Sequence, residues 1–261
     1  MLRVHFFSLC CQEMIAQFPS PQVARANVPI CGNILLPPGI FLFFGSKIMR
    51  VVITGGPSSE PIDDVRLITN RSTGELGVIL AQAFSQSGHD VSLFLGRLSQ
   101  FRLPQAAYFD RNEDLQRMLG EMNESKSVDV VLHAAALADF QVAAVRAGNI
   151  DVGLKKIGSE HEKLSLELAP KPKVIAGLRD LFPKALIVGW KLELEGSRED
   201  LVREAAQQVK KNRTDACVIN GRAFGDGFGF CTSEGLQEVF SSKPELASFL
   251  VQWAERLGGD E

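Results

Sequence analysis

The chain has 261 residues, 45% of them apolar, with a formal net charge of −3 and a sequence pI near 5.9. That length buries one sizeable core, so a single catalytic domain is expected. The mild acidity argues against a general binder of nucleic acid or of an acidic membrane. Cys10, Cys11, Cys31, Cys217 and Cys231 lack metal-like spacing and give no disulfide framework, which points to a reducing cytoplasm. The four histidines are scattered, so no histidine metal site is expected.

Residues 1–48 differ from the rest of the chain. Phe6-Phe7, Cys10-Cys11, Pro19-Ser20-Pro21 and Pro37-Pro38-Gly39 show no sustained period of 2 or 3.6. The apolar run around Ile40–Phe44 is too short to span a bilayer. Ala24-Arg25-Ala26 loosely resembles a signal-peptide cleavage site, but Gln12, Glu13 and Gln17 interrupt any apolar core before it. The segment is expected to be a disordered extension or a mis-assigned start, with the working domain over residues 49–261.

From Met49 the pattern alternates. Arg50–Thr54 reads as a buried strand that runs into a Gly55-Gly56 turn, then a long polar loop bearing Arg66 and Asn70. A second glycine-spaced turn, Ser72-Thr73-Gly74, opens a helix over Gly74–Ser87. Glycines let a backbone approach an anion closely, and unpaired N–H groups at a helix start point at it. Strands follow at Asp90–Leu95 and Ala106–Phe109, a helix at Asn112–Asn123 and a fully buried strand at Val128–Ala135. Beyond these come a helix at Pro172–Phe182, a strand at Ala185–Lys191 and a helix capped by Ser197 that runs to about Asn212. Asp215–Ile219 is a strand, and Ser242-Lys243-Pro244-Glu245 is a capping box for the last helix. This alternation predicts an α/β, Rossmann-like, doubly wound and mostly parallel sheet, with ligands at the carboxyl ends of its strands.

One segment breaks the rhythm. Lys163–Leu168 alternates strictly, so the stretch from Phe140 to Leu168 reads as a small β excursion. So small a sheet is not stable alone. A second copy of the chain is the natural cover, making the excursion a dimerisation flap.

The opening strand suits a nicotinamide-dependent oxidoreductase, yet two features oppose that reading. The second strand ends Leu95-Gly96-Arg97, without the acid that grips an adenosine ribose. The single tyrosine, Tyr108, is followed by Asn at position 112, so the Tyr-x-x-x-Lys pair of hydride chemistry is missing. A catalytically silent nucleotide-binding protein is the other alternative. The stretch Gly55-Gly56-Pro57 to Asp63, with Val65–Gly74 after it, instead resembles phosphopantothenate–cysteine ligase (phosphopantothenoylcysteine synthetase). Ala134–Phe140, Lys156–Ser159, Val188–Glu193 and Val218–Asn220 follow in that family's order. The likeness covers about residues 49 to 257 and is nearer the stand-alone ligases than the fused bifunctional form.

The resemblance implies a ligase that joins 4′-phosphopantothenate to L-cysteine in coenzyme A biosynthesis. A nucleoside triphosphate, CTP or ATP, would form an acyl-nucleotide with Mg²⁺ assisting. It implies a triphosphate cradle of Gly55, Gly56, Ser72, Gly74 and Gly77, which a tight helix–strand turn would equally explain. Arg66 would reach the substrate phosphate of the neighbouring subunit, and Asn70 would face the activated carbonyl. Ala135, Ala136 and Asp139 would line the pantothenate pocket. Lys156 would be the lysine of a mobile flap, although Gly158-Ser159 stand where the family often has more lysines. Trp190 and Lys191 would border the base, with Trp190 alternatively a core residue at the sheet end. Asn220 and the glycine-rich loop after it would close over the nucleotide. The homodimer and cytoplasmic setting follow the same resemblance; no metal ligand is assigned.

Overall fold

The computed structural model describes residues 47–125, 127–153 and 155–258. The expected extension over residues 1–48 lies outside these, apart from Lys47 and Ile48. Among the described residues, thirteen strands and five helices succeed one another in chain order. The first half contains β1 (Arg50–Gly55), β2 (Ser59–Pro61), β3 (Leu67–Thr69), α1 (Glu75–Gln86), β4 (Asp90–Gly96), β5 (Ala107–Phe109), α2 (Asn112–Ser125) and β6 (Val130–His133). The excursion is β7 (Phe140–Ala147), β8 (Ile150–Asp151) and β9 (Leu164–Pro170). After a 3-10 turn at Val174–Gly177 come α3 (Leu178–Leu181), β10 (Leu186–Leu192), α4 (Arg198–Asn212), β11 (Ala216–Asn220), β12 (Phe228–Thr232), β13 (Gly235–Phe240) and α5 (Lys243–Gly258).

Eight strands form the main sheet in the order β13-β12-β11-β10-β6-β1-β4-β5. The pairs from β11 to β5 are parallel, and β12 and β13 are added antiparallel. Alternation along the strands divides the core in two. Val51, Ile53, Leu132 and Val188 face α1 and α5, whereas Val52, Val131 and Ile187 face α2 and α3. Leu201, Ala205 and Val209 of α4 cover Cys217 and Cys231 on the second side. Ser197 caps α4 by accepting from the Asp200 N–H at 3.1 Å. At α5, Ser242 Oγ accepts from the Glu245 N–H, while Glu245 itself reaches back to Ser241.

Three local expectations change. The polar loop after β1 carries a two-stranded ladder, β2 with β3. The helix expected over Pro172–Phe182 shortens to the 3-10 turn and one turn of α3, because Gly177 interrupts it and Pro183 closes it. The glycine-rich loop after Asn220 ends in β12, which with β13 extends the sheet as a hairpin. The excursion forms as expected, in the order β8-β7-β9. Among the described residues, no helix is long and apolar enough to cross a membrane.

Two glycines test the helix–strand contact. A Cβ on Gly77 would lie 3.1 Å from Gly55 Cα, with Leu95 Cδ2 at 3.4 Å, so helix and strand backbone would have to part by a few tenths of an ångström. Gly120 within α2 meets nothing within 4 Å. Gly77→Ala is therefore expected to cost about 1–3 kcal/mol, and Gly120→Ala to add about 0.5–1 kcal/mol. Urea unfolding of the two variants checks the opposite signs.

Candidate functional site

The strand order reverses at β1 and β6, where α1 leaves to one side and the later strands to the other. A crevice opens at the carboxyl ends of strands at such a point. Here the ladder continues past the sheet. The Ala134 N–H donates to Thr54 O at 3.0 Å, the Ala136 N–H to Gly56 O at 2.9 Å, and the Ser58 N–H to Ala136 O at 3.1 Å. The loop from Ala134 to Asp139 is then pinned from several directions. Asn70 Nδ2 donates to Ala136 O (2.9 Å) and Leu137 O (3.2 Å), and Asn112 Nδ2 donates to Ala138 O (2.8 Å). Ser58 Oγ accepts from the Ala138 N–H, and the Lys171 N–H donates to Asp139 O, both at 2.8 Å.

Lys171 is itself an anchor. Its buried ammonium pairs with buried Glu60 and, at 2.8 Å, with Glu113. Burial opposes the charge, but hydrogen bonds and charge from the two glutamates outweigh it and hold the Lys171 pKa above its ordinary value. The triad ties the end of β9 to β2 and to the start of α2.

Below the pinned loop is a cavity of about 660 Å³ between the ends of β6 and β10 and the face of α4. Ala135, Asp139, Trp190 and Lys191 line it, and with them His133, Asn112, Lys173, Gln208 and Asn212. Lys191 Nζ meets Glu204 at 2.9 Å and Glu193 at 3.6 Å. Partial burial works against its charge, and these carboxylates more than restore it, so its pKa is raised. Asp139 and Lys173 face each other at 3.4 Å on the exposed rim. Trp190 lies on a strand whose neighbours Gly189 and Lys191 take the cavity side. Its side chain packs against the core beneath α1 and α5, with the indole N–H buried and unpartnered. That is the core alternative foreseen for it, and it leaves the backbone of Trp190 nearer the cavity than the indole.

The other expected residues form two groups outside this cavity. Gly55 and Gly77 pack helix to strand, while Gly56 and Gly74, at φ 73° and 79°, flank the buried Ser99 hydroxyl. The start of α1 at Gly74 has no side-chain cap, so Ser72 beside it does not serve as one. The second group gathers at the turn before β3. Asp63 accepts from the N–H groups of Val65, Arg66 and Ile157, and Arg66 bridges Asp63 (3.2 Å) and Ile157 O (3.1 Å). Burial alone would raise the Asp63 pKa, yet these N–H groups and the Arg66 charge hold it below the usual carboxylate range. The Lys156 N–H donates to Asp64 at 3.2 Å, and the exposed Lys156 side chain has no partner among the described residues. Asn220 pairs with Leu192 at the end of β11.

Sequence reasoning missed His133, Asn112, Gln208 and Asn212. The signal for His133 was present: a polar ring closing the apolar run Val130-Val131-Leu132. Its Nδ1 lies 2.8 Å from Thr54 Oγ1, and burial pushes its pKa down to about 4. Among the described residues, no group of three or more His, Cys, Asp or Glu side chains is placed to hold a metal ion.

The family described as "DNA/pantothenate metabolism flavoprotein C-terminal domain" matches residues 47–249. The chain is 35% identical over 179 residues to the coenzyme A biosynthesis bifunctional protein CoaBC of Thermococcus kodakarensis, covering 67% of this chain and 42% of that protein. It is 29% identical over 217 residues to CoaBC of Methanocaldococcus jannaschii, covering 80% and 51%. The chain thus spans about half the length of the curated relatives it matches. Among solved structures, the DNA/pantothenate metabolism flavoprotein from Streptococcus pneumoniae superposes with a TM-score of 0.70 at 25% identity, over 80% of this chain and 99% of that one. A Cab2 mutant complexed with phosphopantothenate-cysteine gives a TM-score of 0.62 at 17% identity, over 80% and 87%, a likeness of fold.

The His133 geometry generates a pH prediction. An unfolded chain takes up the imidazole proton near pH 6.5, whereas the native ring resists it until about 4. Between those values the unfolded state binds more protons, so native stability falls as pH falls through the window. The span is worth about 3 kcal/mol at about 1.4 kcal/mol per pH unit. Urea unfolding at pH 6.5 and 4.5 should show a loss of that order in the native protein that is missing from His133→Gln.

Proposed function

The chain belongs to the DNA/pantothenate metabolism flavoprotein C-terminal domain family, and from that premise we propose that it is a nucleoside-triphosphate-dependent ligase joining 4′-phosphopantothenate to L-cysteine in coenzyme A biosynthesis. The observation that carries this reading is the crevice at β1 and β6. There Asn70 holds the carbonyls of Ala136 and Leu137, directly beside a cavity bordered by Ala135, Asp139 and Lys191. Residues matched to the acid substrate and residues matched to the nucleotide thus converge, as a reaction between a carboxylate and a triphosphate requires.

In this reading the pantothenate side is formed by Ala135, Ala136 and Asp139, with Asn70 above them. Asn70 holds the loop through its amide hydrogens, and its Oδ1 has no partner among the described residues. The nucleotide side is formed by Lys191, the Trp190 backbone and Asn220. The triphosphate is assigned to the turns at Gly56 and Ser72–Gly74 beside the start of α1, where helix N–H groups favour an anion, with Gly55 and Gly77 holding helix against strand behind it. Lys156 supplies a mobile cation against charge that grows during nucleotidyl transfer. Mg²⁺ fits as a cation carried on phosphate oxygens with Asp139 as its protein carboxylate, and would supply charge neutralisation there. Whether CTP or ATP serves is set by the base pocket.

The reading includes a homodimer. Phe140, Ile150, Leu164, Leu166 and Leu168 of the excursion are exposed large apolar side chains, more than a three-stranded sheet leaves bare without a partner. In that homodimer Arg66, beside the flap, would serve a site on the neighbouring copy. The cytoplasm is the proposed setting.

Incubation with phosphopantothenate, cysteine, Mg²⁺ and either CTP or ATP should give the amide by mass spectrometry with one pyrophosphate per turnover. No amide with either triphosphate would overturn the reading. Lys156→Gln should fold normally, because the side chain holds nothing in place, and should slow pyrophosphate release by about tenfold or more. Leu166→Asp should shift sedimentation toward monomer and lower turnover with it; a fully active monomer would count against both the dimer and the role of Arg66.

A further inference from the structure

The deep end of the cavity holds polar groups that the fold itself leaves unused. His133, Asn112 and Asn212 are 7%, 2% and 8% exposed, and all three line it. Asn112 spends its Nδ2 on Ala138 O, while its Oδ1 is buried without a partner. The Asn212 carboxamide meets no hydrogen-bond partner among the described residues, and neither does His133 Nε2. Unpaired buried polar groups cost about 1–3 kcal/mol each. Asn112 Oδ1 is the sealed one of the three, while His133 Nε2 and the Asn212 carboxamide stay open on the cavity wall, where a ligand would satisfy them.

The protonation of His133 follows from its neighbour. Thr54 Oγ1 accepts from the Ala135 N–H at 3.4 Å, and its single hydroxyl proton has His133 Nδ1 at 2.8 Å as its acceptor. Assigning Nδ1 as the acceptor satisfies the buried hydroxyl proton and puts the one proton of the neutral ring on Nε2, the edge left for the cavity. The charges lie elsewhere. Lys173 and Lys211 are exposed on the rim, and Lys191 is neutralised by Glu204 and Glu193. A neutral floor of donors and acceptors, with charge confined to a mixed rim where Asp139 pairs with Lys173, suits an uncharged heterocycle better than a phosphate.

We propose that His133 Nε2–H, with the Asn212 carboxamide beside it, reads the nucleobase of the triphosphate, and that His133 is a specificity-determining donor to a ring or carbonyl acceptor of that base. This rests on the nucleotide-dependent ligase reading for the identity of the ligand. A site built to hydrogen-bond a substrate discriminates strongly against one that leaves its buried groups unpaired. The choice between CTP and ATP is therefore made on this floor, not at the phosphates.

Calorimetric titration of CTP, ATP and phosphopantothenate into native protein, His133→Phe and His133→Gln tests the assignment. His133→Phe keeps the ring shape and removes the donor. Its Kd for the preferred triphosphate should rise about tenfold or more, its CTP-to-ATP preference should shrink toward unity, and its phosphopantothenate Kd should stay within about twofold. His133→Gln retains a neutral N–H and should recover most of the loss, which also covers the case of a poorly folded phenylalanine variant. An unchanged triphosphate Kd in both variants, or a loss confined to phosphopantothenate, overturns the proposal. Amide formation by the native protein together with an unchanged Kd would sink the base-reading role alone. Triphosphate binding without any amide would sink the ligase reading and leave the floor to be judged on the same titrations.

Discussion

The parallel pairing of β1 with β6 is the constraint on which the rest depends. Residue for residue it sets Thr54 beside His133, and past the sheet it continues through Gly56 and Ala136. Because side chains alternate along a strand, a slip of one residue would send His133 to the α1 face and Leu132 into the cavity. The same ladder fixes where the Ala134–Asp139 loop begins. Every element that then touches the loop, from Asn70 to Asn112 to Lys171, meets a backbone already in position. Such pre-organisation lets a site bind without first ordering itself.

Charge is managed differently at the three places where it matters. At Lys171 it is buried and satisfied, so the triad acts as a rigid tie among β2, α2 and β9. Removing one partner of such a buried cluster strands a charge and costs about 3–5 kcal/mol, which makes it a poor place for a group that must move. On the cavity rim, the Lys173–Asp139 ion pair is exposed and weak. At Lys156 the backbone is tethered through Asp63 and Asp64 while the ammonium is left in solvent.

Much of the architecture was legible because it rests on local signals. The apolar runs at Val51–Ile53 and Val130–Leu132, the cap at Ser197 and the alternation over Lys163–Leu168 each gave the right element. The hairpins were not legible, since Ser59–Pro61 and Gly235–Phe240 carry mixed polarity and owe their pairing to their neighbours. Trp190 shows a second limit: its place at the end of β10 was evident, but which face it takes depends on the register with β6 and β11. The polar floor was hidden for a related reason. Asn112, His133 and Asn212 come from the start of a helix, the end of a strand and the end of another helix, and no single segment marks them as neighbours.

The excursion links assembly to chemistry through short covalent distances. Asp139 ends the pinned loop and Phe140 begins β7, so the strand that presents apolar surface starts where the cavity rim stops. At the other end of the excursion, β9 delivers Lys171 to its buried triad and Lys173 to Asp139. Between them, the segment at Lys156 and Ile157 is clasped by the turn that carries Arg66. A partner covering β7 and β9 would therefore press on both supports of the loop and on the clasp of the flap lysine at once. Burying exposed leucines contributes roughly 25 cal/mol per Å² of apolar surface. In a homodimer that energy would act directly on the elements that position Asn70, Asp139 and Lys156, so cover of the excursion and the geometry of the crevice would be coupled.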